Sequence, residues 1–167
     1  MTQYAVILGT FEGAPEKASP FVERFDAIKD DLALIDVVAV SREGEGEPTV
    51  EHRGASKGKT VGTGAVVGGL IGLLAGPAGV ALGAAAGAAA GGAIKGLSHV
   101  GIPKAMLDQV ETGLAANSSA VLVVMEAERS DVIVNDLRDA GAKIITHTAE
   151  RENLELMAPP GQAFSEK

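Results

Sequence analysis

Eight glycines in the middle of the chain recur at every fourth position, and this spacing restricts the fold of the segment more than any other feature. They form two rows on either side of a Gly-Pro turn: Gly64, Gly68, Gly72 and Gly76, then Gly79, Gly83, Gly87 and Gly91. A period of four places each row along one face of an α-helix. Glycine inside a helix costs about 1 kcal/mol relative to alanine, so eight would cost roughly 8 kcal/mol if nothing offset the loss. Close approach of helix backbones provides that offset, and the rows therefore predict a helical hairpin that packs tightly against other helices.

The charges that flank this hairpin are compatible with two environments, a lipid bilayer and the interior of a protein oligomer. No charged residue occurs from position 60 to position 94, whereas Lys57 and Lys59 precede the apolar stretch and Lys95 follows it. Lysines on both flanks are typical of a membrane hairpin whose two ends lie on the cytoplasmic side. Each arm has roughly 16 residues, or about 24 Å of helix, which is short for a hydrocarbon core of about 30 Å.

The two arms differ in bulk, and this difference favours packing within an oligomer. The first arm has an apolar face formed by Val66, Leu70, Ile71, Leu73 and Leu74. The second arm has only Val80, Leu82 and Ile94 among alanines and glycines. Three such residues give little tendency to insert in lipid alone, although a membrane bundle of several hairpins would meet the same need. A disordered linker needs neither a regular spacing nor leucines, so we expect self-association through these residues.

Composition excludes several classes of function. The chain of 167 residues has no cysteine, which rules out disulfides and thiolate chemistry and fits a reducing cytosol. A formal charge of -8 argues against nucleic acid as a partner, since binding to phosphates requires a basic face. The first residues resemble a strand and not a signal peptide. We expect a cytoplasmic protein, with the cytoplasmic face of the inner membrane as the alternative location.

Outside the hairpin, apolar runs and helical periods alternate along the chain. Strands are predicted at residues 4–8, 32–40, 49–52, 120–125 and 143–148, the second of them buried largely on both faces. A first helix is predicted to open at Pro15, with Phe21, Val22, Phe25 and Ile28 on one face. A helix with Ile102, Met106, Val110 and Leu114 on one face is predicted to begin near Pro103 and to stop at Asn117. A last helix is predicted from an N-cap at Ser130 to Gly141.

The order of these elements predicts an α+β fold. Without the middle segment the chain reads strand-helix-strand twice, which is the order of a ferredoxin-like split βαβ sandwich. The domains are then a first half at residues 1–60, an inserted glycine-zipper hairpin at 61–98, a second half at 99–150 and a tail at 151–167. A short doubly wound sheet is the alternative, because helical crossovers are compatible with both folds.

Three features together resemble a known family. They are the β-α-β start, the glycine rows from Gly64 to Gly91 with their Gly-Pro break, and the later strand Ser-Ser-Ala-Val-Leu-Val-Val. They are similar to a bacterial family of unknown function whose members are generally described as predicted membrane proteins, some of them stress-related. The resemblance covers most of residues 4–148 and implies a glycine-zipper hairpin within a small α/β domain. It implies no catalytic residues.

One segment approaches a phosphate-binding loop. Residues 54–60, Gly-Ala-Ser-Lys-Gly-Lys-Thr, end in the Gly-Lys-Thr of that motif and precede the first hairpin arm. The motif needs four residues between its glycines and here there are three, and Arg53 stands where a glycine is required. A flexible basic hinge before the hairpin explains the segment better than a nucleotide site.

Other polar residues form no recognisable catalytic pattern. His52, His99 and His147 are far apart in the sequence, although the first two flank the hairpin and could share a metal or sense pH. Ser118 and Ser119 lack the pattern of a nucleophile elbow. We therefore expect no enzyme activity, no cofactor and no metal.

The function favoured by the sequence is self-assembly. Hairpins from several copies of the chain would pack together, with or without association with a membrane. Two alternatives remain: a membrane-inserted pore or membrane-remodelling module, and a nucleotide-binding protein that uses the degenerate loop.

Overall fold

The computed structural model describes residues 3–46, 49–54 and 114–150, and this part of the chain is an α+β domain. Its strands are β1 (Gln3–Phe11), β2 (Leu34–Arg42), β3 (Thr49–Gly54), β4 (Ser118–Glu126) and β5 (Lys143–Glu150). Its α-helices are α1 (Ser19–Ala27) and α2 (Ser130–Asp139), and a 3-10 turn at Ala127–Arg129 leads into α2. The predicted strands are all present. Four of them extend beyond their predicted bounds, whereas β2 begins two residues after the predicted start at residue 32 and ends two residues after residue 40.

The strands form one five-stranded sheet in the order β3-β2-β4-β1-β5. Four strands are long, and the shorter β3 lies at one edge. All four neighbouring pairs in the described sheet are antiparallel, so the alternative of a doubly wound parallel sheet is wrong. The physical reason is that β4 lies between β1 and β2, so the two strands joined by α1 are not neighbours. At the other edge of the sheet, Gln3 of β1 lies opposite Glu150 of β5.

One face of the sheet, which we call the helix face, packs against both helices. Its centre consists of Ala5, Ile7, Phe11, Val37, Ala39, Val121, Val123 and Met125. Helix α1 contributes Phe21, Val22 and Phe25 to this core, and α2 contributes Ile133 and Leu137. The rings of Phe11 and Phe21 stack with centroids 5.7 Å apart. Three of the four residues predicted for the apolar face of α1 therefore lie in the core, whereas Ile28 follows the last residue of the helix and is only partly buried against it.

The opposite face of the sheet, which we call the second face, is also largely apolar, although the register places the buried Asp36 and Thr10 on it. It carries Val6, Leu8, Val38, Val40, Ala120, Leu122 and Val124, and none of these is more than 2% exposed. The register places them together, since Leu122 lies opposite both Leu8 and Val38. Among the described residues, no helix lies on this face. Burial on both faces explains why β2 and β4 are nearly continuous apolar runs and lack polar alternation, as predicted for β2.

Helix α1 begins later than predicted. The sequence favours an opening at Pro15, but the helix starts at Ser19 with Pro20 in its first turn. Residues before it are held in a turn, because Lys17 N donates to Ala14 O at 3.3 Å and both Ala14 and Ala18 bond to Ser119 on β4. These contacts with a distant strand override the local signal.

Helix α2 ends as predicted but begins differently. Ser130 is not an N-cap: it is the first helical residue, and its hydroxyl donates to Ala127 O at 2.7 Å within the preceding 3-10 turn. At the other end, Gly141 has a φ of +89°. Its N–H donates to Arg138 O, and Ala142 N donates to Leu137 O, which is the Schellman pattern. Glycine at position 141 adopts this left-handed conformation without strain.

Candidate functional surface

The residues predicted to mediate assembly lie outside the described part of the chain. This holds for the eight ladder glycines, for Val66, Leu70, Ile71, Leu73 and Leu74, and for the flanking Lys57, Lys59 and Lys95. It also holds for His99, for residues 55–60 of the near phosphate-binding loop, for the predicted helix before Leu114 and for the tail. The contacts of these residues therefore stay predictions.

The described residues contain few features of a chemical site. None of their helices is long and apolar enough to span a membrane. They also contain no group of three or more His, Cys, Asp or Glu side chains arranged to hold a metal ion.

The two points at which residues 55–113 join the domain lie at opposite ends of the sheet. Gly54, the end of β3, pairs with Asp36, whereas Ser118, the start of β4, pairs with Arg42. Six residues of extended β2 separate these two positions, which corresponds to about 20 Å. The chain between Gly54 and β4 must therefore travel the length of the sheet in addition to forming any hairpin.

The chain enters β4 through a firmly held turn. Leu114 is 5% exposed, and its carbonyl oxygen accepts a hydrogen bond from Nη1 of Arg42 at 3.0 Å. Asn117 has a φ of +54°, and its Oδ1 accepts from Gly44 N at 2.8 Å. Asparagine tolerates this left-handed conformation better than most residues. These bonds attach the end of the insertion to the β2–β3 connection.

Ser118 and Ser119 have a structural role. The hydroxyl of Ser119 donates to Ala14 O at 2.6 Å and accepts from Ala18 N at 3.2 Å. The hydroxyl of Ser118 accepts from Gly13 N at 3.3 Å. Both serines therefore hold the β1–α1 connection against the start of β4.

His147 lies at the margin of the second face. It pairs with Val6 of β1, and its Nε2 is buried without a hydrogen-bond partner among the described residues. Burial lowers the pKa of His147 below its ordinary value of 6.5, because the charged imidazolium loses contact with water. Its described neighbours on this face are Val6, Leu8 and Tyr4 of β1. The charged Lys143 lies four residues away on β5, where its Nζ pairs with Glu12 at 2.6 Å.

We expect His147 to make stability fall on mild acidification. Its pKa is lower in the folded state than in the unfolded chain, where it is about 6.5, so the unfolded chain binds more protons between the two values. The free energy of unfolding is therefore constant above about pH 6.5 with respect to this group and falls as the pH drops below that value. Urea unfolding at several pH values between about 5 and 8 measures the slope. The variant His147→Gln should lose this part of the pH dependence, and equal slopes in both proteins would contradict the assignment.

Comparison with known proteins identifies a family without an assigned activity. Residues 61–158 match the family described as "Protein of unknown function (DUF1269)", and this range is more than half of the chain. No curated protein and no solved structure matches the chain. The match begins within the predicted hairpin and includes β4, α2 and β5. The chain therefore belongs to the DUF1269 family of proteins of unknown function.

Proposed function

We propose that this protein is a non-enzymatic self-assembling protein that oligomerises through a glycine-zipper hairpin at residues 61–98. The observation that carries the proposal is the spacing of the glycines, at every fourth residue in both arms. Rows without side chains allow helix backbones to approach closely, and the apolar residues of the first arm provide additional contact. The partner in this assembly is a second copy of the chain.

The domain that carries the hairpin is, in this proposal, a ferredoxin-like split βαβ sandwich. The four long strands have the order β2-β4-β1-β5, and α1 and α2 both pack on the helix face. Two interleaved β-α-β units of this kind support the ferredoxin-like assignment. The short strand β3 is then an addition at the sheet edge, and the hairpin follows it as an insertion between the two halves.

A substitution on the glycine rows tests the proposal. The variant Gly68→Leu should convert the oligomer to smaller species, because a leucine side chain on the contact face separates the helices. Sedimentation velocity in detergent-free buffer measures the size, and far-UV circular dichroism checks that the domain remains folded. The matched control is Gly69→Leu, which adds the same side chain one position off the row. An unchanged particle for Gly68→Leu, or equal losses for both variants, would contradict assembly through the rows.

A fractionation experiment distinguishes a soluble assembly from a membrane assembly. If the hairpins pack against one another in water, native protein is recovered without detergent as a large particle. If they pack in lipid, the protein remains with the membrane until detergent is added. The second result would favour the alternative of a membrane-inserted module.

A further inference from the structure

We propose that residues 102–113 form an amphipathic helix that packs along the second face of the sheet and leads directly into β4. The domain would then have three layers, with α1 and α2 on one side of the sheet and this helix on the other. The inference concerns the domain itself and does not depend on whether the hairpins assemble.

The apolar centre of the second face needs a cover that the described elements do not provide. Val6, Val38 and Val124 are fully buried within a single chain. Both described helices pack on the helix face. Neighbouring strands lie side by side in the sheet and therefore do not shield its second face from water. We therefore assign this cover to residues of the same chain outside the described ranges.

The path of the chain favours the segment just before β4. The insertion leaves the sheet beside Asp36 and returns beside Arg42, so part of it must run back along the length of the sheet. Twelve helical residues span about 18 Å, close to the distance of about 20 Å between those two ends. The helix face is already occupied by α1 and α2, which leaves the second face for this run. Leu114 is buried and bonded to Arg42 at the end of such a path.

The sequence of the segment predicts a helix with one apolar side, which would contact the second face, and one charged side, which would face water. Ile102, Met106, Leu107 and Val110 fall on one side of a helix and continue to Leu114. Lys104, Asp108 and Glu111 fall on the opposite side. The hairpin arms lack this division, since the second arm has few large side chains and neither arm has a charged face.

The tail at residues 151–167 is a weaker candidate. It begins with Arg151, Glu152 and Glu155, whose charges would be costly against the apolar centre of this face. It also follows β5, whereas burial of the second face is greatest on β2, β4 and β1. His147 and Ile145 on β5 are only partly buried. The cover is therefore centred on β4, which residues 102–113 precede.

Cysteine cross-linking tests the proposal, because the natural chain contains no cysteine. The test variant is Met106→Cys with Leu122→Cys, which places one thiol on the apolar side of the segment and one at the centre of the second face. The first control is Met106→Cys with Val123→Cys, since Val123 is the next residue of β4 and lies on the helix face. The second control is Asp108→Cys with Leu122→Cys. Each full-length protein is treated under native conditions with a mild oxidant and, separately, with a short bis-thiol reagent.

We expect loss of both free thiols and an intramolecular bridge in the test variant, and retention of the thiols in both controls. Bridging of Leu122→Cys to Leu156→Cys in place of Met106→Cys would assign the face to the tail and overturn the proposal. A bridge between two chains, equal bridging with Asp108→Cys, or no bridge in a folded test variant would also overturn it.

Hydrogen exchange of the unmodified protein keeps the test independent of these substitutions. If residues 103–113 form a helix against the sheet, their amides exchange slowly, as those of β4 do. Rapid exchange throughout residues 103–113, together with slow exchange in β4, would contradict the proposal even if the cysteine variants failed to fold.

Discussion

Replacement of Phe25 by alanine is expected to lower the free energy of unfolding by about 3–5 kcal/mol. The ring of Phe25 is fully buried between α1 and the helix face, and it contacts the ring of Phe21 with centroids 5.4 Å apart. Its removal loses the burial of a large apolar side chain and leaves a cavity that this small core cannot fill completely. Chemical denaturation monitored by circular dichroism measures the change.

The control for this substitution is Val132→Ala on α2. Val132 is 52% exposed, so the same kind of truncation should change stability by less than about 0.5 kcal/mol. Similar losses for Phe25→Ala and Val132→Ala would mean that α1 does not form the described core.

Replacement of Ser119 by alanine is expected to destabilise the domain by about 1–3 kcal/mol. Ser119 has no exposed surface, and its hydroxyl bonds to both Ala14 and Ala18. Ala18 is the N-cap residue of α1 and has no side chain that could cap the helix. The substitution removes few atoms but leaves one N–H donor and one carbonyl acceptor without this partner. Differential scanning calorimetry measures the loss as a lower melting temperature.

The matched control is Ser19→Ala, one residue after Ala18. The Ser19 hydroxyl is exposed and donates to Oε2 of Glu51 at 2.5 Å, so water can replace that contact. We expect little change in melting temperature. A loss for Ser19→Ala equal to that for Ser119→Ala would show that the buried position of Ser119 has no special effect.

Strands and helices of this domain could be predicted because their signals are local. Apolar runs identify all five strands, and the spacing of Phe21, Val22 and Phe25 identifies the buried side of α1. The left-handed position after α2 follows from Gly141 alone. Each of these features depends on residues only a few positions apart.

The order of the strands and the helix starts depend on contacts between distant residues. β1, β2 and β4 are similarly apolar, so composition does not say that β4 lies between the other two. The start of α1 depends on Ser119, which is 101 residues from Ala18 and 105 from Ala14. Acidic residues and Pro15 are typical of a helix opening, but the hydrogen bonds to β4 hold this stretch in a turn instead.

The second face could be predicted only in part. Burial of residues 32–40 on both sides follows from their composition, and the structure confirms it for β2. The burial of Asp36, which is only 2% exposed, could not be predicted, because the sequence does not show whether a single carboxylate within an apolar run is buried or exposed. The burial of His147 could not be predicted either. Its spacing of two residues from Ile145 places both on one face of β5, but this spacing does not indicate what covers that face.

The pairing of Gln3 with Glu150 has a practical consequence for engineering. Because these residues sit side by side on adjacent strands, a short added peptide can join them without disturbing the sheet. New termini can then be opened between Gly54 and Leu114, so that the domain starts near β4 and finishes after β3. In such a circular permutant, the glycine-rich segment lies at an end of the chain. It can then be shortened, moved to the other end or omitted, and the order of the described strands in the sheet stays the same.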